Sequence, residues 1–200
     1  MFGGGPVTAN VCGKNMSAQG ASIARRATIA ASAILSCLVF YPFVHECGHL
    51  LPATVSGAEV NTFIWTPLLG RTHVSLNNVP GPAMPWVDAG GILLPTIVGT
   101  MMMAIWLSLP LRVPNPLWRI WLLIPGGILL LGNFGLILEM IMQSNTLDHM
   151  HGLAQLIGGN GLVAMIVELL PALWSCIVIA CTIRHCRRRK QVAPEPKQTT

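Results

Sequence analysis

Four apolar runs constrain this chain more than any other feature. They lie at about residues 27–51, 86–109, 117–142 and 162–183. An α-helix needs about 20 apolar residues to cross a bilayer, and each run meets that length. Composition agrees. Only 10 % of the 200 residues are charged, and the mean hydropathy is +0.62. Soluble domains carry about 25 % charged residues. The expectation is therefore an all-α polytopic membrane protein with about four transmembrane helices and the lipid bilayer as its surroundings.

The runs organise the rest. Residues 1–26 are Gly-rich and polar and are expected to be a disordered N-terminal segment, 27–183 form one helical membrane domain, and 184–200 form a basic, then Pro-rich tail, also expected to be disordered. Ala24-Arg-Arg-Ala27 resembles the start of a secretory signal. The run behind it holds the chain's most informative residues, so cleavage there is not expected. Inside the first run, Pro42 should bend the helix, and Pro52 with Gly57 should end it. Glu59–Trp65 and Arg71–Leu76 then alternate polar with apolar or β-branched residues, which predicts a short interfacial β-hairpin between the first two spans. The six Cys show no paired C-x-x-C spacing and imply no disulfide framework.

Four spans put both termini on one side. Of the 12 Lys and Arg, only Arg71 falls on the other side, so the positive-inside rule places both termini in the cytoplasm. The basic tail would be drawn to anionic lipid. No aromatic residue interleaves it, so nucleic acid is not expected as a partner. The sequence sets no oligomeric state.

The first run ends in His45-Glu46-Cys47-Gly48-His49, an H-E-x-x-H pattern. Chance produces it in roughly 0.4 % of shuffled chains of this composition, and the pattern is the zinc-binding one. On a helix, positions i and i+4 share a face about 6 Å apart at Cβ. Two imidazoles so placed can occupy adjacent corners of a tetrahedral Zn²⁺. Glu46 lies beside the metal rather than on it, where it can take a proton from water whose pKa zinc lowers to about 7. The grouping predicts metal-assisted amide hydrolysis. The bland alternative is a pair of interfacial His with one acid at a helix end. Titratable groups are expensive within membrane helices, which weighs against it.

H-E-x-x-H inside an apolar helix, then a β-like segment, then a Gly90-Gly91 span, resembles the site-2 protease family of intramembrane zinc metalloproteases, in its small members. The likeness covers roughly residues 30–160, and only His45–His49 is specific. It implies a helical core holding zinc on two His and one Asp, with a Glu as base and a membrane-spanning helix as substrate. Carried over, His45 and His49 are ligands and Glu46 is the base. The family's Asp sits in Leu-Asp-Gly; here Leu147-Asp148-His149 keeps the first two, making Asp148 the candidate third ligand. Independently, Asp148 falls on the same side as the motif, and catalytic zinc usually takes three protein ligands. Asp148 also suits an N-cap of a short helix over 148–157. His149 and His151 are rival ligands. The family usually holds its metal toward the cytosol, whereas the charge count here places the motif on the outer side.

The function expected is a zinc-dependent endopeptidase acting on membrane-protein substrates. The alternatives are an inactive pseudoprotease that binds membrane helices and a metal transporter. Asn133 and Asn145 could bind substrate or merely pack, and the hairpin could accept unwound substrate by strand addition or simply cap the site.

Overall fold

The computed structural model describes residues 9–66, 71–109, 117–142 and 161–192. The chain is mostly helical, with one two-stranded sheet. Helix α1 spans Ala9–Leu35, α2 Tyr41–Val55, α3 Met84–Ser108, α4 Leu117–Met142 and α5 Gly161–Val192. Four segments are long and apolar enough to cross a membrane: Gly20–Val55, Gly81–Ser108, Trp118–Gly135 and Leu169–Arg188.

Two ends differ from the sequence expectation. Helix begins at Ala9, within the segment expected to be disordered, and α5 runs to Val192, past the expected end at 183. The reason is local. Between Pro6 and Pro42 the chain meets no proline, and Ala, Gln, Arg and Lys are good helix formers. The basic stretch after residue 183 likewise meets no helix breaker before Pro194.

The break expected at Pro42 is present as a π turn, Ser36–Phe40, joining α1 to α2. Proline offers no N–H to the preceding turn. The Tyr41 N–H instead reaches back to the Ser36 carbonyl. Ser36 Oγ donates to the Ser32 carbonyl at 2.6 Å, a back-bond that also loosens helices. One extra residue in a turn rotates the following helix face by about 100°. The direction in which α2 presents its motif is thus set just before the motif.

Pro52 does not end α2, contrary to expectation; the helix passes through it to Val55 and stops at Gly57, whose φ of +83° suits glycine. Pro52 has no N–H for the Gly48 carbonyl. That carbonyl lies against Gly90 of α3, and a Cβ added to either glycine would overlap the other's backbone. The two helices cross there at backbone contact, which only small residues permit. Gly99 of α3 and Gly126 of α4 make a second such crossing. Asn133 of α4 is 3 % exposed and its Nδ2 donates to Thr96 Oγ1 of α3 and Ser175 Oγ of α5, each at 2.9 Å. These contacts run α4 antiparallel to α3, and α5 parallel to α3. Leu129 and Leu130 are fully buried, while Ile97, Ile105, Leu131, Leu173 and Ile177 stand exposed.

The hairpin forms as expected. Strand β1, Glu59–Thr66, pairs antiparallel with β2, Arg71–Asn77, with an irregularity between Val60 and Thr62. Phe63 meets the Phe43 ring of α2 edge-on at 6.4 Å, which docks the hairpin against the helix that carries the motif.

Candidate metal centre

His45 and His49 share one face of α2, with ring centroids 4.9 Å apart and planes at 83°. Their Nε2 atoms face each other at 3.3 Å. Zinc–nitrogen bonds of about 2.0–2.1 Å at a tetrahedral angle separate two ligand nitrogens by about 3.3–3.4 Å. The 3.3 Å spacing matches that separation, and it is also the length of an N–H···N hydrogen bond between the two rings. His49 Nδ1 lies 2.7 Å from the Val87 carbonyl of α3. A carbonyl only accepts, so Nδ1 carries a hydrogen and donates it, which fixes the ring with Nε2 directed toward His45. Tyr41, the chain's one tyrosine, stacks on His45 at 6.0 Å and 28°.

Room for the two rings comes from glycines. A Cβ on Gly91 would overlap His49 Nε2 and stand 2.9 Å from His45 Cε1. A Cβ on Gly132 of α4 would overlap the Tyr41 ring. Gly90 and Gly91 thus divide the work: the first lets the backbones meet, the second clears the imidazoles.

Glu46 is only 8 % exposed. Its Oε2 accepts the Val74 N–H of β2 at 3.1 Å. This N–H points out of the hairpin's own ladder, so the pair Val74–Phe63 is a non-hydrogen-bonded one, and the outward backbone groups of β2 belong to residues 72, 74 and 76. A cavity of about 500 Å³ opens here, bounded by His45, Glu46, His49, Asp88 and β2 from Val74 to Leu76. It can hold a short extended peptide beside two imidazoles and a carboxylate.

Asp148 lies outside the described residues, as do His149, His151, Asn145 and the proposed helix 148–157. Among the described residues, no three His, Cys, Asp or Glu come together closely enough to hold a metal. Of the expected set, the described residues bring His45 and His49 side by side on α2. Asn133 belongs to helix packing rather than to the cavity, which removes it as a candidate for holding substrate. Glu139 and Glu168 sit on α4 and α5, with side chains outside the described set. Sequence reasoning missed Tyr41, Asp88 and the Val87 carbonyl. Asp88 did carry a signal, as an acid at the start of an apolar span. The carbonyl carried none. Compared with family models, with curated proteins and with solved structures, the chain has no match.

Proposed function

We propose that the four apolar helices cross a bilayer and that the chain is a zinc-dependent intramembrane endopeptidase, as its resemblance to the site-2 proteases implies. The observation that carries the reading is the facing pair of Nε2 atoms at 3.3 Å, with the Glu46 carboxylate opening on the same cavity. The membrane reading is supported by large apolar side chains turned outward on every long helix while glycine, serine and threonine fill the contacts between them. The charge distribution supports cytoplasmic termini and a centre that faces the other side.

Zinc would be held by His45, His49 and Asp148; when bound it supplies a Lewis acid and lowers the pKa of water to about 7. The chain's own residues do the rest. The Val87 carbonyl orients His49. Glu46 takes the proton of the attacking water and delivers it to the leaving amine nitrogen. A helical substrate has its carbonyls already hydrogen-bonded and must be unwound before it can be cut. The Val74 N–H is already taken by Glu46, so the outward backbone groups on either side of it along β2 are the ones that would pair with an unwound segment next to the carboxylate.

The deciding experiment joins zinc stoichiometry to cleavage of a co-expressed membrane substrate. Wild-type protein should carry about one zinc per chain, and His45→Ala and Asp148→Ala should carry none. Glu46→Gln should keep the zinc and lose cleavage. Continued cleavage by Glu46→Gln would remove Glu46 as the base, and full zinc in Asp148→Ala would remove Asp148 as a ligand.

A further inference from the structure

A second cavity, of about 460 Å³, lies between α3, α4 and α5, at the far end of these helices from the His45–His49 centre. Its volume falls in the range of about 300–1,000 Å³ typical of small-molecule sites. Its walls are apolar, from Met103, Leu123, Ile179 and Ile183, and Arg187 stands at one end. Ile183 is 49 % exposed, so the cavity opens sideways along the helices. The wall from Leu123 to Leu131 rises through eight residue steps, about 12 Å of helix. Gly127 forms part of it, and a Cβ there meets nothing within 4 Å.

Charge is sorted along the same axis. Asp148 and Glu195 lie outside the described residues. Every other acid of the chain falls toward the opposite end: Glu46 and Glu59 beside the centre, Asp88 opening α3, Glu139 closing α4 and Glu168 near the start of α5. Arg184, Arg187 and Arg188 close α5 at the cavity's end, and Arg119 opens α4 there, donating to the Leu109 carbonyl at 2.7 Å. Arg187 is 19 residues beyond Glu168, about 29 Å along the helix. An apolar groove of chain-like shape with a cationic mouth, and no acid at that mouth among the described residues, is complementary to an anionic amphiphile.

We propose that this groove binds an anionic glycerophospholipid, with acyl carbons against Met103, Leu123, Ile179 and Ile183 and the phosphate at Arg187. The inference needs the helices to lie in a bilayer but not the chain to be a protease. On the cytoplasmic orientation, the mouth faces the leaflet that carries anionic lipid, where each nearby Arg strengthens attraction about fivefold. A lipid seated there would add to the contacts between α5 and α3 at this end, where the Trp106 ring of α3 meets His185 of α5 at 6.5 Å.

Native mass spectrometry in a neutral detergent tests this, with phosphatidylglycerol and phosphatidylcholine of identical chains. Wild-type protein should retain phosphatidylglycerol at least fivefold better. Arg187→Gln should cut that preference about fivefold, the effect of one charge. Gly127→Leu should fill the groove and lower retention of both lipids while leaving every charge in place; the open space at Gly127 lets the fold accept it. Equal retention of the two lipids by wild type would overturn the proposal. So would unchanged phosphatidylglycerol retention in Gly127→Leu, the result expected if another segment or a second copy fills the groove. Extraction of the protein from membranes by alkaline carbonate would instead strike the membrane reading, and so separates the two failures.

Discussion

Gly91→Ala isolates the geometric core of the candidate centre. A Cβ at this position would stand 2.6 Å from His49 Cε1 and 2.9 Å from His45 Cε1, and closer still to His49 Nε2. Ordinary contact begins at 3.4 Å, so the His49 ring must retreat by about 1 Å to clear its nearest atom, Nε2. Metal–ligand distances tolerate only about 0.2 Å. The ring cannot retreat freely, because its Nδ1 is tied to the Val87 carbonyl four residues before Gly91 on the same helix. Disturbing a ligand's orientation typically costs 10- to 100-fold in metal affinity, about 1.4–2.7 kcal/mol. Stability of the metal-free protein should fall by about 0–2 kcal/mol. Alanine gains up to about 1 kcal/mol of helix propensity, set against about 1–3 kcal/mol of overpacking. Chelator competition measures the first quantity and thermal unfolding of metal-free protein the second. Gly127→Ala is the control, the same substitution in α4 with nothing within 4 Å. A Gly91→Ala protein that binds zinc within twofold of wild type would refute the claim that this glycine clears the two imidazoles.

Two further substitutions probe the supports of the site. Val74→Pro removes the donor to the buried Glu46 carboxylate without taking a hydrogen bond from the hairpin ladder. It should destabilise the protein by about 1–3 kcal/mol in thermal unfolding and lower cleavage, with zinc content unchanged. Asn133→Ala removes two interhelical hydrogen bonds remote from the cavity. At about 0.6 kcal/mol each within a membrane, it should cost about 1–2 kcal/mol in unfolding and leave both zinc and cleavage untouched; a loss of zinc would show that the α3–α4–α5 contacts also set the centre.

What the sequence revealed, it revealed through period and length. The four apolar runs fall on the four long helices because burying or inserting 20 apolar residues leaves a chain little choice of structure. The hairpin was legible because Glu59–Trp65 and Arg71–Leu76 alternate between turn residues. The ends of α1 and α5 were not, since polar composition suggested disorder while the residues themselves are good helix formers. Within the site, His45, Glu46 and His49 were readable from spacing alone, a property of one helix. Tyr41, Val87 and Val74 act across elements, and no local pattern announces which carbonyl or N–H a neighbouring element will present. The π turn was half legible: Pro42 marked the place but not the form.

The glycines show why a site of this kind needs so much of the chain to be small. Two imidazoles packed on a neighbouring helix at this range need a glycine opposite them, because a side chain there would displace a ring. Gly91 meets that demand only if α3 is held at backbone contact with α2, which the adjacent residues Gly48 and Gly90 do. Backbone contact in turn is easier where a carbonyl has no partner in its own helix to compete, and Pro52 creates that condition at Gly48. Pro52, expected to end the helix, instead serves the crossing. Tyr41 then needs Gly132 of α4 so that its ring can back His45 from the other side. Each small residue is thus fixed by the one before it, starting from the spacing of two histidines. An exchange of Gly48 or Gly90 for alanine should therefore remove the centre by parting the helices, whereas Gly91→Ala should remove it with the helices still together.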